Sequence, residues 1–496
     1  MTARPQVFRG ALLADGQEHL GDPADMLVIN GHIARIGPPG MDAPEGAATV
    51  DASDRLIIPG LVNAHTHSHL AVAKGLSEAW TLELHLHNGP WTGGGQALED
   101  RRLLAQASAL EMLLKGCTAA YDLVLEMPAP TPEGLVATAQ GYLDVGMRVV
   151  VAPMMADRTF WRAIPGLMDT LPAAMRPAVE QILLAPHDVS LAACAAAIRA
   201  WPHARDHARL ALGPTIPLHC SDAFWTGCRD MAEQDGLAIH CHLAESRVQK
   251  LKGREVYGRS LTQHLDALGI LGPGFTGAHG IWLEAGDLDL LAARGASIAH
   301  NPSSNFRLGS GIADVPAMRR ARVNVGIGSD ACSCSDHQNL FEAMRLACYL
   351  CRTASPDPDD WISPAETLRM ATAGGARTLG LDHLIGRLAP GHAADLVLLD
   401  LRSPNFMPLN RPLNQLVFCE EGRSVDSVYV EGRQVVGNGR ILTVDHDALH
   451  RRICDRAAEL QAQNAGRRRE LAALEPYVKH FCVGLAGAME HAHVGH

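Results

Sequence analysis

Four short stretches each place a metal-binding or proton-moving side chain directly after an apolar run. They are Leu56-Ile-Ile-Pro-Gly-Leu-Val-Asn-Ala-His65-Thr-His67, Leu237-Ala-Ile-His-Cys-His242-Leu-Ala-Glu245, Phe275-Thr-Gly-Ala-His279 and Val323-Asn-Val-Gly-Ile-Gly-Ser-Asp330. Imidazole and carboxylate are the ligand types that hold a hydrolytic divalent ion such as zinc while leaving a position for water. His65 and His67 lie two apart at a strand end, so both rings leave one face and can converge on one ion. Near 240 both His240 and His242 could point inward. His242 is the expected ligand, because Glu245 then stands one loop turn beyond it, and His240 is expected to pack or to support the site. Asp330 follows so apolar a run that its charge needs a partner, which a metal and the histidines would supply; the bland alternative is a helix N-cap.

Apolar β-branched runs alternate with Ala- and Leu-rich helical stretches through the middle of the chain, the pattern of repeated βα units around a parallel sheet. The expected strands are Leu56 to Asn63, Cys117 to Leu123, Met147 to Pro153, Leu210 to Pro217, Leu237 to His242, Phe275 to Trp282, Ala296 to His300 and Val323 to Ser329, with Gln181 to Pro186 competing for fourth place. Eight such strands specify an α/β fold of the (β/α)8 TIM-barrel type, whose active site lies at the C-terminal strand ends, where every candidate ligand falls. The two chain ends read differently. Short strand-like runs with turns, such as the Asn30-Gly31 hairpin signal and the stretch Gly386 to Asp400, predict a small β-sandwich domain built from both ends. The expected division is 1–58 and 386–445 for that domain, 59–385 for the barrel, and 446–496 for a charged C-terminal helix and a frayed tail ending Glu490-His-Ala-His-Val-Gly-His496.

A net charge of -11 offers no electrostatic footprint for a polyanion, which argues against nucleic acid and an anionic membrane surface as partners. The first residues lack the long apolar core of a signal peptide, and no stretch of about 18 apolar residues occurs, so a cytoplasmic protein is expected. Twelve scattered cysteines favour reduced thiols. Cys348-x-x-Cys351 has the spacing of a redox or zinc half-motif, yet its apolar neighbours point to a buried helix.

The chain resembles the amidohydrolase superfamily, in the branch that includes cytosine deaminase, the adenosylhomocysteine and methylthioadenosine deaminases, guanine deaminase and the triazine chlorohydrolases. The resemblance rests on Pro59 to His67, Gly116-Cys-Thr-Ala-Ala-Tyr-Asp122, His242-Leu-Ala-Glu245, His300-Asn-Pro-Ser-Ser-Asn305, Gly328-Ser-Asp330, Ala371-Thr-Ala-Gly-Gly-Ala376 and Pro390-Gly-His-Ala-Ala-Asp395. It implies one divalent ion, zinc or alternatively iron, held by His65, His67, His242 and Asp330. It also implies that Asp330 and His279 orient the activated water and accept its proton while Glu245 protonates the substrate nitrogen. A homo-oligomer is a further implication of the resemblance.

The loops say less. Where that branch usually carries Arg-Gly-Leu, acidic residues and an apolar-aromatic helix, this chain reads Ala73-Lys-Gly-Leu-Ser-Glu-Ala-Trp80-Thr-Leu-Glu-Leu-His85-Leu-His87-Asn-Gly-Pro-Trp91. Trp80, His85 and Trp91 could line a pocket for a flat ring or anchor a loop or an interface. His219, in a loop where Ser221 or Asp222 could cap the next helix, and His300 and Asn305, in an Asn-Pro turn, are the remaining candidate substrate contacts. Three functions follow: deamination of an aromatic cyclic amidine of purine, pterin, pyrimidine or triazine type; hydrolysis of an amide, urea, carbamate or ring carbon-halogen bond of a small molecule; or metal binding without catalysis. Glu245 and His279 argue against the last, since holding a metal requires no proton shuttle. Deamination is preferred on family frequency.

Overall fold

Gly60 is where the chain passes from one domain to the other. Up to Pro59 the strand Arg55–Pro59 runs antiparallel to Leu396–Asp400, paired from Asp400 opposite Arg55 to Leu396 opposite Pro59. Gly60 N–H then donates to the Asp395 carbonyl, and Leu61 N–H already donates to Gly116 at the base of the barrel. A Cβ at Gly60 would lie 2.1 Å from Thr118 Oγ1, so the crossing requires glycine. The expected single strand Leu56 to Asn63 is therefore two, Arg55–Pro59 and Leu61–Thr66. Both are buried, so the apolar run is continuous and only Pro-Gly marks the break.

The computed structural model describes residues 4–16 and 21–487, and the histidine-rich tail lies outside the described residues. Four strands from the C-terminal part extend a sheet begun by five from the N-terminal part, nine in all, with Leu396–Asp400 against Arg55–Pro59 as the join. A bulge between Phe8 and Ala11, with Gly10 at φ 72°, lets Gln6–Leu13 pair Ala24–Ile29 and Ala48–Asp51 through its first half and Arg55–Pro59 through its end. Asn30 and Gly31 both take positive φ, 52° and 79°, as a two-residue hairpin turn demands. Phe8, Met26, Ile57, Leu398 and Tyr429, drawn from both ends, share one core on this nine-stranded sheet.

The barrel strands are Leu61–Thr66, Cys117–Leu125, Arg148–Met155, the interrupted pair Ala208–Leu210 and Gly213–Pro214, Ile239–Leu243, Phe275–His279, Ser297–His300 and Asn324–Ile327. Their ladders are parallel, and bridges from Leu212 to Ile239 and from Thr66 to Asp330 close the ring. The fourth strand is thus the segment near 210, while Gln181 to Pro186 forms no strand and supplies cavity lining through Ile182 and Leu184. Cys348 and Cys351 are buried at the end of the helix Leu340–Leu350, as the packing reading expected.

A buried ion pair fastens the barrel to the sandwich. Arg148 Nε donates to Asp395 Oδ2 at 3.0 Å, and both side chains are fully buried. Asp395→Ala is expected to destabilise the fold by about 3–5 kcal/mol in a denaturant titration, because it removes the buried partner of a buried guanidinium and leaves it only half-exposed Glu431 at 3.9 Å.

Candidate metal centre and catalytic cavity

The strand ends bring His65, His67, His242, His279 and Asp330 together. Asp330 Oδ1 lies 3.3 Å from His67 Nε2 and 3.5 Å from His65 Nε2, and its Oδ2 lies 3.8 Å from His279 Nε2. His67 Nδ1 sits 2.7 Å from the Leu123 carbonyl and His242 Nδ1 2.8 Å from that of Thr215. A carbonyl only accepts, so both Nδ1 atoms carry a proton, and both rings turn Nε2 inward. Those two Nε2 atoms are 3.3 Å apart. Nitrogens this close need a shared proton or a metal cation between them. His65 Nε2 is also buried without a hydrogen-bond partner. Three imidazoles and a carboxylate with this demand for positive charge fit a divalent ion of the zinc type.

The electrostatics agree. Burial pushes His65 down to about 4 against the pull of Asp330, and burial with the neighbouring imidazoles holds His242 well below its ordinary value. Burial also opposes the charged form of His67, but its contact with Asp330 outweighs that and raises it. For Asp330 burial acts upward, yet His65 and His67 keep the carboxylate well below its usual range. An anion with facing imidazoles is the state that accepts a metal.

Behind the cluster, His240 Nε2 lies 3.1 Å from His65 Nδ1 while Tyr121 meets the His240 ring edge-on. His240 therefore supports a ring of the cluster, and His242 faces into it. On the cavity side, Glu245 Oε2 stands 3.6 Å from His279 Nε2, and both atoms are buried without hydrogen-bond partners. The two residues are aimed by strained loops: Ala244, His279 and Asp330 take φ of 50°, 75° and 62°, at a cost of about 1–3 kcal/mol each for such residues. Gly280 N–H to the Leu243 carbonyl and Trp282 N–H to the Ala244 carbonyl lock the first two loops together. Burial, then the charges of Asp330 and Glu83, raise Glu245 well above the ordinary carboxyl range.

The amidohydrolase family model matches residues 56–435. This chain belongs to the amidohydrolase family. Among curated relatives, this amidohydrolase is similar to 5-methylthioadenosine/S-adenosylhomocysteine deaminase of Syntrophobacter fumaroxidans, 33% identical over 87% of this chain and 92% of that one. It is also similar to 5'-deoxyadenosine deaminase of Methanothermobacter thermautotrophicus, 29% identical over 84% and 91%. Among solved structures it resembles an adenosine deaminase from Xanthomonas campestris with bound zinc, with TM-score 0.80, 26% identity and coverage of 94% and 98%. Another is atrazine chlorohydrolase from Arthrobacter aurescens TC1 complexed with zinc, with TM-score 0.81, 25% identity and coverage of 92% and 99%. The amidohydrolase is accordingly a metal-dependent hydrolase acting on carbon-nitrogen bonds other than peptide bonds.

A largely apolar cavity opens from the metal cluster, with Glu245, His242 and Asp330 in its lining. Of the expected substrate contacts, His85 and His219 line it. Trp80 and Trp91 do not. The stretch read as a loop contains the helix Leu82–Thr92, started by Thr81 as N-cap. At 3.6 residues per turn, Leu82, His85, Leu86 and Gly89 share the face that lines the cavity, and Leu84, Asn88 and Trp91 share another. Trp91 packs edge-on with Trp80 and under Arg468 of the C-terminal helix. His300 is buried outside the lining, and its carbonyl accepts from Gly328 N–H. Asn305 acts on His279 instead of on the cavity. Its Oδ1 lies 2.8 Å from His279 Nδ1, so it fixes the tautomer that leaves Nε2 facing Glu245. Ser221, not Asp222, caps the helix after His219.

Two contributors escaped the sequence reading. His69 lines the cavity, and its alternation with His65 and His67 was the available signal. Glu83 accepts from Ser246 Oγ at 2.7 Å, tying the helix Leu82–Thr92 to the loop that carries Glu245; only the tertiary fold shows it.

Proposed function

We propose that this amidohydrolase hydrolytically deaminates the exocyclic amine of an aromatic cyclic amidine, with an adenosine-type nucleoside as the leading substrate. The observation that carries the reading is the pair of buried, unpartnered atoms Glu245 Oε2 and His279 Nε2, 3.6 Å apart, with Glu245 in the cavity lining and His279 behind it beside Asp330. The names of the deaminase relatives support the choice of ring.

His65, His67, His242 and Asp330 would hold one zinc ion, with iron as the alternative. Bound there, a divalent ion supplies a water whose pKa is lowered toward about 7. Asp330 and His279 orient the water that adds to the amino-bearing ring carbon and accept its proton. Glu245, kept protonated by burial and neighbouring charge, gives its proton to the adjacent ring nitrogen. The proton held by Asp330 and His279 then passes to the exocyclic nitrogen, the carbon-nitrogen bond breaks, ammonia leaves as the new carbonyl forms, and the hydroxyl proton returns to Glu245. Asn305 holds His279 in register throughout. Asn305→Ala is expected to lower kcat about tenfold or more at unchanged metal content, checked by steady-state kinetics with metal analysis.

A second reading, hydrolysis of a triazine ring substituent, is supported by the likeness to atrazine chlorohydrolase. Incubation with adenosine-type nucleosides, other aminopurines, pterins and triazines decides between them: ammonia from a nucleoside supports deamination, and chloride or alkylamine from a triazine with no ammonia from any purine overturns it. The reading includes a cytoplasmic homo-oligomer, in keeping with the acidic chain and the family, and sedimentation would measure the assembly. Among the described residues no helix is long and apolar enough to cross a membrane.

A further inference from the structure

The C-terminal helices His446–Ala472 and Glu475–Gly487 touch three separate loops at the mouth of the barrel. After the first strand they meet the helix Leu82–Thr92: His87 Nε2 donates to the Leu471 carbonyl at 2.9 Å, Asn88 Nδ2 donates to Glu475 Oε1 at 2.9 Å, and Arg468 lies 4.9 Å over the Trp91 ring. After the third strand they share an apolar cluster in which Trp161, Leu167, Leu474 and Val478 are all buried. After the fifth strand they reach the helix Arg247–Tyr257, which starts two residues beyond Glu245: Arg247 Nη1 donates to the Ala486 carbonyl at 3.2 Å, and Lys252 Nζ lies 5.5 Å over the Phe481 ring.

The helix Leu82–Thr92 is therefore held between the C-terminal helices and the cavity. One face offers Leu84, Asn88 and Trp91 to those helices, and the other offers His85 and Leu86 to the cavity. His87 joins the two, because its ring also meets Trp161 edge-on at 5.4 Å and lines the cavity rim. His85 Nδ1 is buried without a hydrogen-bond partner in the protein, so this wall presents an unused polar atom to whatever enters. A rigid-body shift of the helix would move His85 by the same distance, and misplacement by about 1 Å is enough to weaken substrate positioning strongly.

We infer that the two C-terminal helices are a positioning element of the substrate cavity, acting through His87 on the helix that presents His85 to the substrate. The inference rests on the proposed function only in taking this cavity as the place where substrate binds. His87 acts as a positioning residue through Nε2, which is spent on the Leu471 carbonyl; its unpartnered Nδ1 also faces the cavity, so Glu475, outside the lining, is the variant that separates positioning from contact.

His87→Ala is expected to raise KM about tenfold, the scale of one lost hydrogen bond, with kcat changed by less than about threefold and full metal content. His87→Gln, whose amide still donates to the Leu471 carbonyl, should recover most of the affinity. Glu475→Ala lies outside the cavity and should raise KM in the same sense. In both Ala variants amide hydrogen exchange across Leu82–Thr92 should quicken. An unchanged KM in a folded Ala variant overturns the inference, whether or not exchange quickens, and so does a Gln variant indistinguishable from Ala. If His87→Ala does not fold, Glu475→Ala decides alone. Wild-type enzyme that releases no ammonia from any aminopurine, pterin or aminotriazine refutes the proposed function instead, and exchange over Leu82–Thr92 in Glu475→Ala then decides whether the C-terminal helices hold that wall.

Discussion

Replacing Glu245 by glutamine is expected to leave the metal content full and to cut kcat by about 10² or more, the scale of general acid-base assistance. The substitution keeps the size and planarity of the side chain and leaves the backbone link from Glu245 N–H to Gln249 Oε1 in place. It removes a transferable proton. Burial, Asp330 and Glu83 all act to keep Glu245 in its acid form, and no protein group bonds to Oε2. Such a carboxyl gives up its proton only when a basic atom forms in front of it, which is how an acid facing a ring nitrogen must behave. The sign of the pH dependence follows. The active form is protonated and its value is raised, so wild-type activity falls as pH rises through that raised value. The residual activity of Glu245→Gln should lack that alkaline limb. Wild-type kcat in the variant would remove Glu245 from the chemistry, and loss of metal along with activity would make it a support of the ligand set.

The separation between what the sequence disclosed and what it hid follows the range of the interactions. His65, His67, His242 and Asp330 were legible because strand periodicity and an apolar approach are local, and a parallel barrel converts four such approaches into one centre. The choice of His242 over His240 also rested on a local feature, the spacing to Glu245, and the ring orientations agree with it. Asn305 was read as a rim residue because its partner His279 stands 26 positions away, and only folding brings Oδ1 within 2.8 Å of Nδ1. Trp80 and Trp91 stood between lining a ring pocket and anchoring a loop or an interface, and the helix Leu82–Thr92 turns Trp91 toward Trp80 and Arg468. Once a helix is recognised, its period puts His85 and Trp91 on different faces. Gly60 shows the converse limit: two strands from different domains made one apolar run, and the close approach of Thr118 that separates them is invisible in one dimension. The second C-terminal helix, Glu475–Gly487, went unread because its apolar face is matched by loops from distant parts of the chain.

His67→Ala should abolish retention of the metal and, with it, the dependence of thermal stability on added zinc. His67 contributes more than a lone pair. Its Nδ1 is fixed by the Leu123 carbonyl at 2.7 Å, so the ring is oriented before any ion arrives, and its Nε2 faces both Asp330 and His242 at 3.3 Å. Alanine leaves Asp330 with one of its two nearest imidazoles and His242 without the ring opposite it. A ligand that binds only the folded state stabilises it by about 2.7 kcal/mol at a hundredfold excess over Kd and about 4.1 kcal/mol at a thousandfold excess. The wild-type Tm should therefore climb as zinc is added to metal-stripped enzyme. The variant's Tm should stay flat over the same concentrations and its metal content should fall away on dialysis. Full metal occupancy in His67→Ala would falsify the ligand assignment and move the centre toward the other convergent group, His65, His279 and Asp330.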